Sequence, residues 1–315
     1  MAQKTPKNIH SKIQNCYWGQ CVGDALGSMV EFQTASQIQQ KYTDGIQLLE
    51  RTKVFGPDTV PGQLTDDSEM AIMLLRSLFD ETGTVFLGYD ADRAFRAYQW
   101  WRDSDPIDMG GTTASALDGM PNDSSQANGA LMRVSPLAAA SIHVNEQTAA
   151  EWLRTDASLT HPNEVCQHAN VVFGLLIRAM LLSDTSVTSQ EAYRLAQQYI
   201  ERYQLHHIAE LVENARTHQP DEFYHNMGWV RIALHNALFH LFNDSSWHKA
   251  VHDTVMQGGD TDTNAAIVGA LIGARYHQNV IPEQWLQTVQ SATPKSRPRE
   301  LWAVPASRLI TELCC

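Results

Sequence analysis

The sequence is poor in the features that mark several large protein classes. Its five cysteines, Cys16, Cys21, Cys166, Cys314 and Cys315, are odd in number and include no CxxC pair. A disulfide framework and a cysteine-based zinc site are therefore not expected, and reduced thiols in a cytoplasmic protein are. Basic residues are scarce: 23 Lys and Arg stand against 35 Asp and Glu, a net charge of −12. Phosphate-backbone binders rest on Lys and Arg, so nucleic acid is not an expected partner. No apolar run reaches the roughly 20 residues that span a bilayer. The best candidate, 265–274, is short and follows Asp260 and Asp262. The N-terminus, MAQKTPKNIHSKIQN, has no apolar signal-peptide core. GxGxxG, P-loop and GxSxG motifs are absent. His248 and His252 stand four apart, but residue 249 is Lys where the zinc motif HExxH has Glu.

What is present is helical periodicity. Val171, Leu175, Ala179 and Leu182 recur at steps of four, four and three, the stripe of a buried helix face. Similar patterns run through 69–79, 130–140, 190–203, 227–242 and 261–276, separated by Pro, Gly, Asn and Asp loops at 56–62, 103–111, 121–125 and 161–163. Strand-like alternation is scarce. With 43% hydrophobic residues over 315 positions, the chain has ample core. The expectation is one compact all-α domain of a dozen or more helices over residues 12–315, preceded by a flexible polar arm, 1–11, with Lys4 and Lys7. The segment TPKSRPR, 293–299, reads as a basic loop before a last helix. Small residues at 19, 23 and 27, and again at 265, 269 and 273, keep a spacing of four. A helical glycine costs about 1 kcal/mol, which close approach of a second helix offsets. These elements belong at the centre of the bundle.

Two acidic clusters lie far apart in sequence and just before apolar helices: Thr65-Asp66-Asp67 and Asp260-Thr261-Asp262-Thr263. Adjacent carboxylates repel, and more so when buried. One reading is a pair of ordinary N-caps, stabilised by the helix dipole. The other is a site for one or two divalent ions, because two carboxylates and hydroxyls exceed what a cap needs. Hard oxygen donors suit Mg²⁺, Mn²⁺ or Ca²⁺ rather than zinc. Glu31 is a third acidic point, read either as the solvent end of a helix or as part of the site. Asp24, among small and apolar residues, reads as a structural hydrogen-bonding carboxylate.

Six segments in one order, GDALGSMVEF at 23–32, GQLTDDSEMA at 62–71, IDMGGTT at 107–113, NGALMRVSPLA at 128–138, LTHP at 159–162 and GGDTDTNAAIVGALIGA at 258–274, carry a resemblance. The chain resembles the ADP-ribosylglycohydrolases, and within them the dinitrogenase reductase-activating glycohydrolase branch. The resemblance implies an all-α fold around two Mg²⁺ or Mn²⁺ ions held by Thr65, Asp66, Asp67, Asp260, Asp262 and Thr263. It implies catalytic roles for Glu31 and Asp108, and substrate contacts for Gly110, Gly111, Asn128, Gly129 and His161. The implied reaction removes ADP-ribose from modified protein side chains, arginine first. Serine-linked or poly-ADP-ribose is the alternative substrate. From another class, a protein binding an ADP-ribosyltransferase toxin, as an immunity partner, is suggested by the basic residues Lys4, Lys7 and Lys12.

Overall fold

The architecture follows from two helices that touch backbone to backbone. The computed structural model describes residues 8–47, 49–52 and 54–314. Its α-helices are α1 (Ile9–Gly27), α2 (Ala35–Lys41), α3 (Asp66–Ser77), α4 (Ala91–Asp103), α5 (Gly111–Leu117), α6 (Ser135–Ala140), α7 (Glu146–Ser158) and α8 (Glu164–Leu182). They continue with α9 (Ser189–Tyr203), α10 (Ala209–Asn214), α11 (Val230–Phe242), α12 (Trp247–Met256), α13 (Thr261–Gly273), α14 (Glu283–Ser291) and α15 (Ala303–Glu312). Among the described residues no strand forms beyond isolated bridges. The fold is all-α, in one domain.

Helices α1 and α13 are antiparallel, and their small residues meet in order. A Cβ on Gly19 would collide with the backbone of Gly269, on Gly23 with Ala265, on Gly27 with Thr261, and on Gly273 with Asn15. Every residue of α13 is buried. The remaining helices wrap this pair. Among them α8 is long and apolar enough to cross a bilayer, a candidate that the run-length criterion passed over. Its sides pack against α6, α7, α9 and α11, and most of it is buried as a core helix.

Several expected boundaries move for local reasons. The 130–140 pattern is helical only from Ser135. Pro136 sits in the first turn of α6, where its missing N–H is harmless, and its ring would clash with a helical carbonyl four residues earlier. The 227–242 helix starts at Val230 because Gly228 is left-handed, with φ of 77°. Residues 274–276 turn away from α13.

The expected arm does not reach residue 11. Residues 1–7, with Lys4 and Lys7, lie outside the described residues, as does Cys315, but Ile9–Ser11 already form the first turn of α1. Lys12 is buried, and its Nζ donates to the carbonyls of Met180 and Ser183 at 2.7 and 2.8 Å. It secures the end of α8 and belongs to no arm.

Candidate active site

Helix α1 assembles the site by holding both acidic clusters at its C-terminal end. Asp24 is fully buried and accepts from Thr65 N, Thr65 Oγ1 and Ser68 N at 3.1, 2.8 and 3.1 Å. It caps α3 from another helix. Thr65 occupies the N-cap position of α3 and Asp260 that of α13, yet neither side chain makes a capping hydrogen bond. The side chains at these N-cap positions therefore do not act as caps; at α3 Asp24 takes that place by accepting from Ser68 N. Burial pushes the Asp24 carboxyl up to about 7, against the pull of its Ser68 and Thr65 hydrogen bonds.

The second cluster is fixed by Thr261, whose Oγ1 donates to Gly27 O at 2.7 Å. Just before it, Gly258 and Gly259 have φ of 77° and 78°. Gly259 N donates to Gln33 O and Phe32 N to Gly259 O, both at 2.9 Å, so the 32–34 segment lies alongside 258–259. A Cβ on Gly258 would strike the Gln33 carbonyl. This pairing turns Glu31 inward. It is buried beside Asp260 and Asp262, not at the solvent end of a helix.

Oxygens of Glu31, Asp260 and Asp262 come within 4.8 Å of one another. Asp66 and Asp67 are buried close enough to repel Asp260. Burial, then the charges of Asp260, Asp108 and Asp66, push Glu31 up to about 9. Burial first, and neighbouring carboxylates second, hold Asp66, Asp67 and Asp262 well above the usual range. Glu31 Oε2 and Asp67 Oδ1 are buried and have no hydrogen-bond partner. Thr65 Oγ1, which lies 2.8 Å from both Asp24 and Asp67, has one proton for two carboxylates. Such a concentration of like charge, with orphaned oxygens aimed inward, fits a divalent cation. The donors are all hard oxygen, and Glu31 is among the three carboxylates spaced so that they could share an ion.

The cluster opens into a cavity of about 250 Å³ whose wall includes Glu31, Asp66, Asp108, Gly110, Gly111, Asn128, Gly129, His161, Asp260 and Thr263. Thus residues expected from six separate segments meet at one place. No Lys or Arg lines it. Thr65, Asp67 and Asp262 lie behind the wall, fully enclosed. Asn128 Nδ2 donates to Asp260 Oδ2 at 2.6 Å, so this asparagine orients an acidic side chain as well as facing the cavity. Gly129 leaves room for others: a Cβ there would come within about 3.0 Å of His161 and Thr113. At Gly110 and Gly111 a Cβ would meet nothing within 4 Å, so it would occupy the open cavity. Asp108 is half-buried and accepts from Met109 N at 2.8 Å. Burial raises its pKa, and Asp260 adds to the shift.

A larger open groove of about 850 Å³ lies at the far end of α3, among Arg76, Arg93, Arg96, Arg299 and Arg308 with Asp80, Glu81, Glu300 and Glu312. Its charges are mixed in sign, and it contains none of the acidic clusters. Size alone would have misplaced the site.

A family model for ADP-ribosylglycohydrolase matches residues 5–312. The chain belongs to the ADP-ribosylglycohydrolase family. It is 30% identical to a putative ADP-ribosyl glycohydrolase of Acanthamoeba polyphaga mimivirus, over 92% of this chain and 94% of that one. It is 28% identical to the ADP-ribosyl-[dinitrogen reductase] glycohydrolase of Rhodospirillum rubrum, over 96% and 98%. An ADP-ribosylarginine hydrolase of Pseudomonas putida is 24% identical over 90% of this chain and 76% of that one. A solved structure described as an ADP-ribosylglycohydrolase-related protein complex superposes with a TM-score of 0.77 over 98% of both chains, at 24% identity, and supports the fold. The protein is a hydrolase of this family, which acts on ADP-ribosylated proteins.

Some residues that shape the site gave no sequence signal. Arg297, in the segment read as a basic loop, is buried. Its Nε and Nη2 donate to the two oxygens of Glu69 at 2.8 Å, and its Nη1 donates to the carbonyls of Ser104 and Asp105 at 2.8 and 2.7 Å. It ties the loop carrying Asp108 to α3. Nothing in the pattern TPKSRPR separates the buried arginine from the exposed one at 299.

Proposed function

We propose that this protein is a divalent-cation-dependent hydrolase releasing ADP-ribose from modified arginine side chains. The observation that carries the reading is the uncompensated charge of the cavity: Glu31, Asp66, Asp108 and Asp260 line it with no cationic side chain among them. Two relatives named for ADP-ribosylarginine or dinitrogen reductase substrates support the choice of arginine. Thr65, Asp66, Asp67, Asp260, Asp262 and Thr263, joined by Glu31, would hold one or two Mg²⁺ or Mn²⁺ ions. When bound, these supply Lewis acidity for the vicinal hydroxyls of the distal ribose and for water.

The chain's own residues do the rest. The bond that breaks joins C1″ of the ribose to a guanidine nitrogen. A water oxygen forms the new bond to C1″, and the proton lost from water ends on the departing nitrogen. Glu31 and Asp108 are the carboxylates at the cavity wall that can carry it. Asp108 lies outside both ligand clusters, in a glycine-flanked loop, and attracts the cationic guanidinium at short range. Gly110 and Gly111 let the backbone approach the diphosphate, and Asn128 and Gly129 border the ADP-ribose. Burial and the nearby Arg133 guanidinium lower His161 to about 3, so its ring is uncharged at neutral pH.

The test is incubation with arginine-linked and serine-linked ADP-ribosylated proteins, with and without EDTA. Release from arginine, lost in EDTA and restored by Mg²⁺ or Mn²⁺ but not Zn²⁺, is expected. Full turnover in EDTA overturns the metal assignment, and release from serine alone overturns the acceptor. The transferase-binding alternative loses Lys12 to the core. It would be favoured only by affinity for a transferase that survives loss of Asp66 and Asp67.

A further inference from the structure

Behind the cavity runs a buried polar chain that the reaction scheme does not use. Tyr98 on α4 donates its hydroxyl to Asp156 Oδ1 on α7 at 2.8 Å. Arg133, fully buried, donates Nε to Asp156 Oδ2 at 3.2 Å, Nη2 to Asp156 O at 2.9 Å and Nη1 to Thr160 Oγ1 at 2.8 Å. Its guanidinium also stacks on the Tyr98 ring, 4.1 Å from the centroid. Thr160 Oγ1 is in turn 2.8 Å from His161 Nδ1. The chain ends at the cavity wall, which His161 lines.

The donor and acceptor inventory gives this chain a direction. Arginine only donates, so Thr160 Oγ1 accepts from it. Thr160 is fully buried, and among the described residues its hydroxyl has hydrogen bonds only with Arg133 and His161. Were His161 protonated at Nδ1, that N–H would also donate to Oγ1 and leave the threonine's own proton buried without an acceptor. A buried donor left without an acceptor is strongly disfavoured. Donation from Thr160 to Nδ1 satisfies both the hydroxyl and Nδ1. The proton of the neutral imidazole then sits on Nε2, which has no hydrogen-bond partner among the described residues.

We infer that Arg133 and Thr160 are positioning residues that lock His161 in the neutral Nε2–H tautomer, making it a fixed hydrogen-bond donor to an oxygen of the ligand. Burial and the Arg133 charge oppose the imidazolium and reinforce the lock. The acceptor oxygen belongs either to the diphosphate or to the distal ribose. The identity of the ligand rests on the proposed function; the tautomer does not.

The experiment has two parts. Nitrogen-15 NMR of histidine-labelled, ligand-free protein reads the tautomer of His161, assigned by comparison with His161→Gln. The expected spectrum shows protonated Nε2 and bare Nδ1 throughout pH 5–9. Calorimetry then measures ADP-ribose and ADP binding to the wild type, Thr160→Val and Thr160→Ser. Thr160→Val is expected to mix the tautomers and weaken ADP-ribose binding about tenfold, and Thr160→Ser to restore both. An equal loss for ADP places the acceptor on the diphosphate, and a loss confined to ADP-ribose places it on the ribose. Nδ1-protonated His161 in the wild type overturns the inference, even if Thr160→Val fails to fold. So does a folded Thr160→Val protein with unchanged tautomer and affinity. Absence of ADP-ribose binding by the wild type would instead sink the proposed function and leave the tautomer result standing.

Discussion

Two regions of this protein bury charge, and they do so in opposite ways. In the Arg133–Asp156 and Arg297–Glu69 pairs each buried ion faces one of opposite sign, with the remaining hydrogen-bonding positions filled by Tyr98, Thr160, Trp101 and Ser104. In the cluster of Glu31, Asp66, Asp67, Asp260 and Asp262, buried carboxylates face one another, and two buried oxygens have no hydrogen-bond partner among the described residues. A paired buried charge fixes geometry. An unpaired group of one sign is tolerated only if something outside the chain neutralises it. Substitution should therefore have opposite consequences for the stability of the metal-free protein in the two regions.

The largest effect is expected on turnover at the unpaired cluster. Asp66→Ala and Asp260→Ala should each lower ADP-ribose release by about 10²–10³ or more, the scale on which loss of a positioned electrostatic group acts. The metal-free variants should melt at or above the wild-type temperature, because repulsion is relieved. Near-normal activity in either would return these residues to a structural role.

At the paired region the sign reverses. Arg297→Ala leaves the Glu69 carboxylate buried and alone, at a cost of about 3–5 kcal/mol, measurable by urea unfolding. Adding Glu69→Gln to that variant should recover part of the loss, since the orphaned charge is gone. An Arg297→Ala protein as stable as wild type would show that the pair does not carry the packing between α3 and the 104–111 loop.

Asp108 tests the boundary between chemistry and metal binding. Asp108→Asn should lower release from arginine-modified protein by about tenfold or more. Metal affinity by calorimetry should stay close to that of the wild type. Unchanged release removes Asp108 from the reaction, and a large loss of metal affinity places it among the ligands.

The most gradual effect is with pH. Glu31, Asp66, Asp67 and Asp262 have folded pKa values above their unfolded ones, with Glu31 at about 9. The native state therefore holds protons that the unfolded chain has released. Stability from these groups is fully present below about pH 4 and is lost as pH rises through the folded values. The melting temperature of the metal-free protein should decline from pH 5 to pH 9, relative to the Asp66→Ala variant. Saturating Mg²⁺ should flatten the slope, so that its stabilising effect grows with pH. A slope unaffected by the ion would mean that the cluster does not hold it.

Much of the fold was legible in periodicity. The spacing of the small residues 19, 23 and 27 against 265, 269 and 273 located the central helix pair because only glycine and alanine, with little or no side chain, allow such approach. The acidic clusters were legible as excess: two carboxylates where a cap uses one oxygen. Ambiguity between cap and site could not be resolved locally, because the residue that caps α3 is Asp24, forty-one positions before Thr65. Lys12, Arg133 and Arg297 were not legible. Long cationic side chains have the same sequence signature whether they reach water or a buried acceptor.

The sequence by itself determined that the chain is helical, which helices lie at the centre, and where acidic residues exceed what a cap needs, because these depend on spacing and residue type along a few turns. Only the tertiary structure decided that Glu31 turns inward beside Asp260, that one aspartate caps another helix, and that Thr160 lies between Arg133 and His161. Each of these depends on which donor meets which acceptor across the fold, and such pairing is set by three-dimensional packing between segments far apart in the chain.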